Sequence, residues 1–191
     1  YCNEHQCTYI KTNQFYHGRP DKLKHIRLAI DDSCNLRCPS CRKGLIFHKE
    51  GSAFKLGISL ADKINDWLHS YEHPIQVHIG SDGDPFASLV YRHFMRTVPR
   101  DSTLRFNLQT NGLLIKKMLQ RHSHVLNRIQ TINVSIDGAT ADTYEQLRRG
   151  GKWQLLLNNL EFLSQYQDQF EIKFHMVVQA SNWHEMPLML K

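Results

Sequence analysis

Short segments in which apolar and polar residues alternate recur along this chain, and apolar residues at helical spacing follow each of them. The alternating segments, which we predict to be strands, are residues 26–30, 75–80, 104–110, 129–137 and 172–179. Strands that alternate with helices are joined by parallel crossovers, either in a doubly wound sheet or in a β/α barrel. The pattern therefore predicts an α/β fold with a parallel sheet.

The two faces of the predicted strands differ in polarity, and this difference separates the two architectures. One face carries apolar residues, whereas the other carries polar residues such as Gln76, His78, Asn107, Asn133 and His175. A doubly wound sheet is covered by helices on both faces and is apolar on both. One polar face favours an open barrel with a hydrated interior, and the intervening helices argue against a half-exposed antiparallel sheet. We therefore predict a partial (β/α) barrel with about five βα units.

The helices are predicted from apolar residues that recur every three or four positions. The first is expected to begin at Ser59, because Ser59 and Asp62 resemble a capping box. Later helices are expected over residues 86–94, 114–125 and 153–163, from about residue 141, and from residue 183 onward.

Three cysteines, Cys34, Cys38 and Cys41, lie on one loop directly after the first predicted strand. Thiolates hold iron–sulfur clusters, and three ligands on a four-iron cluster leave one iron open to a substrate or cofactor. Zinc is the alternative, with His25 or His48 as a fourth ligand. Disulfides could not cross-link the rest of the fold, because all five cysteines lie within the first 41 residues. The loop is thus predicted to bind a metal centre.

Polar and glycine-rich segments follow three further predicted strands, at residues 80–85, 109–112 and 135–138. Each segment alone could be an ordinary tight turn, since turns select glycine, Asp and Asn. In β/α barrels, however, the chemistry gathers where the strands end. We therefore expect these segments and the cysteine loop to surround one site.

The cysteine spacing resembles the CxxxCxxC signature of the radical S-adenosylmethionine (radical SAM) enzymes. The resemblance implies a [4Fe–4S] cluster on Cys34, Cys38 and Cys41, with S-adenosylmethionine bound at the fourth iron. It also implies that one-electron reduction cleaves the cofactor to methionine and a 5′-deoxyadenosyl radical, which abstracts hydrogen from a substrate. The family's full fold has six βα units, so this chain would hold most of the core domain.

The resemblance also assigns cofactor-binding residues. The segment that contains Asp82, Gly83 and Asp84 resembles the family's Gly-Gly-Glu-Pro, which accepts hydrogen bonds from the methionine amine; Asp84 departs from the usual Glu. Ser135 and Asp137 match positions that contact the methionine moiety or the ribose. The set implied for S-adenosylmethionine is Asp82, Gly83, Asp84, Gln109, Ser135, Asp137 and Arg148.

The stretch from Ser135 to Thr140, together with Tyr144, Glu145 and Arg148, resembles the SPASM/Twitch branch of the family. In that branch the matching arginine pairs with the carboxylate of S-adenosylmethionine. Guanidinium suits this role because it binds carboxylate bidentately. The alternative is that Arg148 and Arg149 form a solvated helix end, where cations suit the helix dipole. Ser40 is a departure, because many members carry an aromatic residue there that stacks on adenine.

The N-terminal residues 1–22 precede the predicted core domain, residues 23–191, and contain Cys2 and Cys7. These two cysteines resemble part of an auxiliary-cluster motif, and the alternative is a pair of ordinary thiols. The chain does not begin with Met, so we expect it to be a piece of a longer protein that lacks the C-terminal part of such enzymes.

Charge and composition indicate whether the chain binds nucleic acid or a membrane. The net charge is +6, but the 24 basic residues are spread along the chain, which favours a mildly basic surface over nucleic-acid binding. No apolar run approaches the ~20 residues of a membrane span, and clustered cysteines without a signal peptide favour the cytoplasm.

The resemblance implies a peptide or a small sugar or nucleoside as substrate, with a peptide preferred, and flavodoxin or ferredoxin as electron donor. The alternative function is a non-catalytic zinc- or cluster-containing module that binds nucleic acid.

Overall fold

The computed structural model describes residues 23–98 and 103–189, so Cys2 and Cys7 lie outside the described residues. The strands are β1 (His25–Leu28), β2 (Gln76–Ile79), β3 (Arg105–Thr110), β4 (Ile129–Ser135) and β5 (Glu171–His175). The helices are α1 (Gly51–His69), α2 (Leu89–Thr97), α3 (Ile115–Arg121), α4 (Ser123–Leu126), α5 (Ala141–Leu147), α6 (Trp153–Ser164) and α7 (Met186–Met189), which a 3₁₀ turn, Trp183–Glu185, precedes. Among these described helices, none is both long enough and apolar enough to cross a bilayer.

The five strands form one parallel sheet whose spatial order, β1-β2-β3-β4-β5, is their order along the chain. A doubly wound sheet would reverse direction at a switch point, and this sheet does not. Among the described residues the sheet has two edges, β1 and β5, so the barrel is open. The predicted partial (β/α) barrel is therefore confirmed.

The two faces of the sheet are packed differently, as predicted for β2, β3 and β4. Val77, Phe106 and Val134 are fully buried on the apolar face, which the helices cover. The opposite face is polar and partly open, because Gln109 is exposed and Asn133 is only half-buried. This polar face forms the interior of the open barrel and leaves room for a ligand.

The outer face of β5 departs from the prediction. The alternation in residues 172–179 predicts that its apolar side chains pack under helices, yet Phe174 is 56% exposed and Val178 is 53% exposed. The turn Trp183–Glu185, which follows β5, instead bonds through Glu185 to Thr140 and Thr143 at the start of α5. The strand also ends at His175, because the residues after it leave the sheet.

The predicted start of the first helix is wrong. Helix α1 begins at Gly51, two turns before Ser59, and its N-cap is Glu50. The reason is that Phe54 and Ile58 extend the apolar stripe of α1 backwards, and both pack against the core. Farther along, the helix predicted over residues 114–125 is divided into α3 and α4 at His122.

Candidate functional site

The loops at the carboxyl ends of the strands enclose one cavity of about 300 Å³. Each residue that the sequence predicted for the cluster or for the cofactor, within the described part of the chain, lines this cavity. These residues are Cys34, Cys38, Cys41, Asp82, Gly83, Asp84, Gln109, Ser135, Asp137 and Arg148. The cavity is also lined by residues that the sequence did not assign to the cluster or to the cofactor, among them Arg42, Asn111, His175 and Val177.

The cysteine loop is held in place at its beginning, middle and end. The Cys34 amide donates to the carbonyl of Ile46 (2.9 Å), and the Arg37 amide donates to the carbonyl of Arg149 (3.0 Å). At the end of the loop, the Arg42 guanidinium donates to the carbonyls of Asp32 (2.7 Å) and Asp82 (2.8 Å). Arg42 thus ties the cysteine loop to the loop after β2.

Each of the three sulfur atoms has a nitrogen donor within reach. Asn111 Nδ2 lies 3.7 Å from Cys34 Sγ, Arg148 Nη1 lies 4.0 Å from Cys38 Sγ, and Arg42 Nη2 lies 3.5 Å from Cys41 Sγ. Burial raises the pKa of the Cys38 thiol, and the Arg148 cation opposes this rise. Donors and cations of this kind stabilise thiolates and tune the potential of an iron–sulfur cluster.

The three thiols do not match the geometry that a single zinc ion requires. A zinc ion bound at about 2.3 Å by tetrahedral thiolates brings its sulfur ligands within roughly 3.8 Å of one another. Within residues 23–98 and 103–189, the one set of three or more potential ligand atoms that all lie within 4.8 Å of one another is Asp31, Asp32 and His48, not the thiols. Within the described residues the three thiols therefore do not form a compact single-ion site.

Asp84 is a buried carboxylate, 2% exposed, that joins the loops after β2 and β3. Its Oδ1 accepts hydrogen bonds from the amides of Phe86 (3.0 Å) and Ala87 (3.1 Å). Its Oδ2 accepts from Thr110 Oγ1 (2.7 Å) and from the Asn111 amide (2.8 Å). Burial raises the pKa of Asp84, and these four hydrogen bonds oppose the rise. Both carboxylate oxygens thus already have protein partners, so Asp84 shapes the cavity wall.

Gly83 allows the loop after β2 to lie directly against the cysteine loop. A Cβ at this position would lie 2.5 Å from the carbonyl oxygen of Ser33 and 2.7 Å from that of Asp31. The amide of Asp84 donates to the same Ser33 carbonyl (2.9 Å). Only glycine permits this approach, which brings the predicted cofactor segment beside the predicted cluster ligands.

Arg148 and Asp137 form a buried ion pair at the cavity wall. Arg148 Nε lies 2.8 Å from Asp137 Oδ2, and the two side chains are 13% and 2% exposed. The interpretation of Arg148 as a solvated helix end is therefore wrong, although it fits the neighbouring Arg149, which is exposed. Guanidinium has five N–H donors, so Arg148 can pair with Asp137 and still bind a second anion.

The segment after β5 holds the loop that carries Asp137. Asp137 Oδ1 accepts from the Val177 amide (3.0 Å), and the fully buried Asn182 donates from Nδ2 to the carbonyls of Asp137 and Val177 (both 2.9 Å). This role was not predicted, because Asn182 matches no motif and lies 45 residues from Asp137 in the sequence.

Glu185 holds the same loop, the one after β4, through a second set of hydrogen bonds. Its carboxylate, 4% exposed, accepts from the amides of Ala139 (2.5 Å) and Thr140 (3.2 Å). It also accepts from the hydroxyls of Thr140 (2.7 Å) and Thr143 (2.5 Å). Thr140 is the N-cap of α5, so Glu185 fixes the start of the helix that leads to Arg148.

The Glu185 carboxylate should make stability pH-dependent. Although burial raises its pKa, the hydrogen bonds from Thr143, Thr140 and Ala139 outweigh this, so the pKa lies below its usual value. The stabilisation is then present above the unfolded pKa near ~4.3 and is lost as the pH falls through the lowered folded value. We expect Glu185→Gln to lower the free energy of unfolding by about 1–3 kcal/mol at pH 7 and to remove this acid-dependent part.

Urea unfolding of both proteins between pH 3 and pH 7 measures the effect, with Glu161→Gln, an exposed position on α6, as the control. The same dependence of stability on pH in the Glu185→Gln variant and the parent would contradict the assignment.

Comparison with known proteins agrees with the geometry. The sequence pattern of the Radical SAM superfamily matches residues 30–191. A GTP 3′,8-cyclase of Synechocystis is 24% identical over 159 residues, which cover 82% of this chain and 46% of that protein. The chain thus spans about half the length of the curated relatives it matches.

Two solved structures show the same fold. One is anSMEcpe with bound AdoMet and Cp18Cys peptide, with a TM-score of 0.56 and 20% identity over 82% of this chain and 43% of that one. The other is Streptococcus suis SuiB bound to precursor peptide SuiA, with a TM-score of 0.61 and 11% identity over 88% of this chain and 36% of that one. Because the superfamily pattern covers most of the chain and the predicted residues meet at one cavity, this chain belongs to the radical SAM superfamily.

Proposed function

We propose that this chain binds a [4Fe–4S] cluster through Cys34, Cys38 and Cys41 and S-adenosylmethionine in the adjoining cavity. The observation that carries the proposal is the meeting of the three thiols with the cofactor residues around one cavity. The superfamily to which the chain belongs uses this cluster and this cofactor. Both points favour the enzyme over a zinc-containing, nucleic-acid-binding module.

The cavity residues divide the recognition of S-adenosylmethionine by chemistry. Arg148 would bind the carboxylate of the cofactor, and the polar loop around Asp82 and Gly83 would accept from its amine. Gln109 and Ser135 offer small polar groups for the ribose hydroxyls, and Asp137 would act through Arg148. When bound, the cluster would supply the electron that cleaves a C–S bond of the cofactor, with a flavodoxin or ferredoxin in the cytoplasm as the source.

For the substrate we propose a peptide, with a nucleotide as the second candidate. The polar interior face supports a polar substrate, since Asn107 donates to Gln76 Oε1 (3.0 Å) and lies 3.3 Å from His78 Nε2. The peptide is supported by the two solved structures with bound peptides, and the nucleotide by the GTP 3′,8-cyclase relative. A rise in 5′-deoxyadenosine formation above the substrate-free level, together with chemical change of the added peptide or of the added GTP, distinguishes them.

Anaerobic reconstitution tests the proposed cofactor chemistry. We expect a brown protein with about four irons per loop cluster that binds S-adenosylmethionine and, after addition of a reductant, forms methionine and 5′-deoxyadenosine in equal amounts. Chromatography measures both products. A protein that takes up the cluster but neither binds nor cleaves S-adenosylmethionine would overturn the proposal, and a colourless zinc protein would support the alternative module.

Replacement of Arg148 tests the carboxylate site. Because Arg148→Ala removes a charge-assisted bond, we expect S-adenosylmethionine to bind more weakly by about 1.5–3 kcal/mol, or about 10- to 150-fold. Calorimetric titration of anaerobic, cluster-loaded protein measures this. Arg149→Ala is the matched control, since Arg149 is adjacent but exposed, and should bind normally. Equal affinity in Arg148→Ala and the parent would remove Arg148 from the binding site.

A further inference from the structure

Asp31, Asp32 and His48 form a cluster beside the cysteine loop, and the proposed function uses none of them. One ligand atom from each residue lies within 4.8 Å of the other two. Asp31 and Asp32 come just before the first cysteine, and His48 lies on the segment that returns after the last one. We propose that these three side chains bind a divalent metal ion, separate from the iron–sulfur cluster.

The Asp31 carboxylate gives the strongest indication of a bound cation. Asp31 is 9% exposed, and its Oδ1 accepts a hydrogen bond from Ser33 Oγ (3.2 Å). Its Oδ2 is buried and accepts no hydrogen bond from any residue in the described part of the chain. A buried carboxylate oxygen without a partner is costly, and a metal ion would supply the missing partner.

The other two ligands are arranged for binding and remain accessible. His48 Nε2 lies 2.7 Å from Asp32 Oδ1, and these side chains are 32% and 49% exposed. The His48 amide donates to Ser33 Oγ (2.8 Å), so the same hydroxyl bonds to Asp31 and to the His48 backbone. Arg42 bonds to the carbonyl of Asp32 and not to its carboxylate. A bound metal would replace the hydrogen bond between His48 Nε2 and Asp32 Oδ1 and use both atoms as ligands.

The ligand set defines the class of ion. Two carboxylates balance the charge of a divalent cation, and a mixed oxygen and imidazole set suits Mn²⁺, Fe²⁺ or Zn²⁺. Three protein ligands leave further positions for water on the exposed side. Such an ion would connect residues 31 and 32 to residue 48 across the base of the cysteine loop, and would thereby hold the loop in place.

A second Asp–His pair on the surface provides a matched control. His93 Nε2 lies 2.6 Å from Asp62 Oδ1, which closely reproduces the distance between His48 and Asp32. This pair belongs to no three-residue ligand set among the described residues. If the third ligand and the buried oxygen of Asp31 create the site, His93 and Asp62 should not affect metal binding.

Titration with Mn²⁺, followed by electron paramagnetic resonance, tests the proposal on the untagged protein with its oxidised [4Fe–4S] cluster in place. The loop thiols are then filled, and the oxidised cluster is diamagnetic. We expect about one Mn²⁺ per chain, with spin-echo modulation from one imidazole nitrogen. Since loss of even an outer partner of a metal ligand costs about 10–100-fold in affinity, Asp31→Asn and His48→Gln should each weaken binding by about tenfold or more.

The modulation should disappear in His48→Gln, and Asp62→Asn and His93→Gln should bind Mn²⁺ normally. His48 is partly exposed, so its variant keeps the test valid if Asp31→Asn fails to fold. Absence of Mn²⁺ binding at millimolar concentration would overturn the proposal. Binding that survives both Asp31→Asn and His48→Gln would do the same. The iron content and visible spectrum of each sample report separately on the cluster.

Discussion

Replacing Cys38 by alanine is expected to abolish the ~400 nm absorbance of the reconstituted cluster, because two loop thiolates cannot hold a cubane stably. Cys38 is the central ligand of the loop and is buried, and Arg148 Nη1 lies 4.0 Å from its sulfur. Iron and acid-labile sulfide analysis, together with the visible spectrum, measures the loss.

Ser40→Ala provides the control on the same loop. Ser40 is exposed and lies between the second and third cysteines, so this variant should reconstitute normally. Iron and sulfide at the parent's stoichiometry in Cys38→Ala would contradict the assignment of the loop as the cluster site. In a longer protein in which Cys2 and Cys7 also bind an auxiliary cluster, which remains a prediction, Cys38→Ala would remove only the irons of the loop cluster.

Asp84→Ala is expected to destabilise the fold strongly, by about 3–5 kcal/mol in the free energy of unfolding. The change leaves four donors without their acceptor: two amides in the same loop after β2, and two groups at the end of β3 and the start of the loop that follows it. The loops after β2 and β3 would then separate, and the affinity for S-adenosylmethionine should fall as well. Urea unfolding measures the stability.

Two variants make this prediction sharper. Asp84→Asn keeps one acceptor oxygen and places an NH₂ group against two of the donors, so its loss of stability should be intermediate. Asp82→Ala removes an exposed carboxylate two residues away and should leave the stability close to that of the parent. If Asp84→Ala and Asp82→Ala were equally stable, the four hydrogen bonds would not hold the loops together.

The architecture could be predicted from the sequence because alternation along a strand directly reflects which face of the sheet is buried. The apolar parity of β2, β3 and β4 corresponds to the buried face, since a strand presents alternate residues to opposite sides. The rule that strand ends gather chemistry predicted that Cys38 and Asp84 lie at one site, and the family resemblance added Arg148 to it.

Contacts between distant segments could not be predicted in the same way. Arg42, Asn182 and Glu185 match no motif, and each acts by reaching a loop that only the fold brings near. The capping-box prediction at Ser59 was wrong because a local pattern competed with the apolar stripe that begins at Phe54. Packing decides where α1 begins, and hydrogen bonds between distant segments decide which residues support the cavity. Neither kind of contact is local in sequence.

The sequential strand order also has a consequence for biosynthesis. Each strand pairs with the strand synthesised just before it, so a nascent chain can extend the sheet as it leaves the ribosome. The three cysteines leave the ribosome early, whereas Asn182 and Glu185, which secure the last cavity wall, leave it late. The cavity wall beside Asp137 is therefore completed only after these last residues have left the ribosome, later than the cysteine loop.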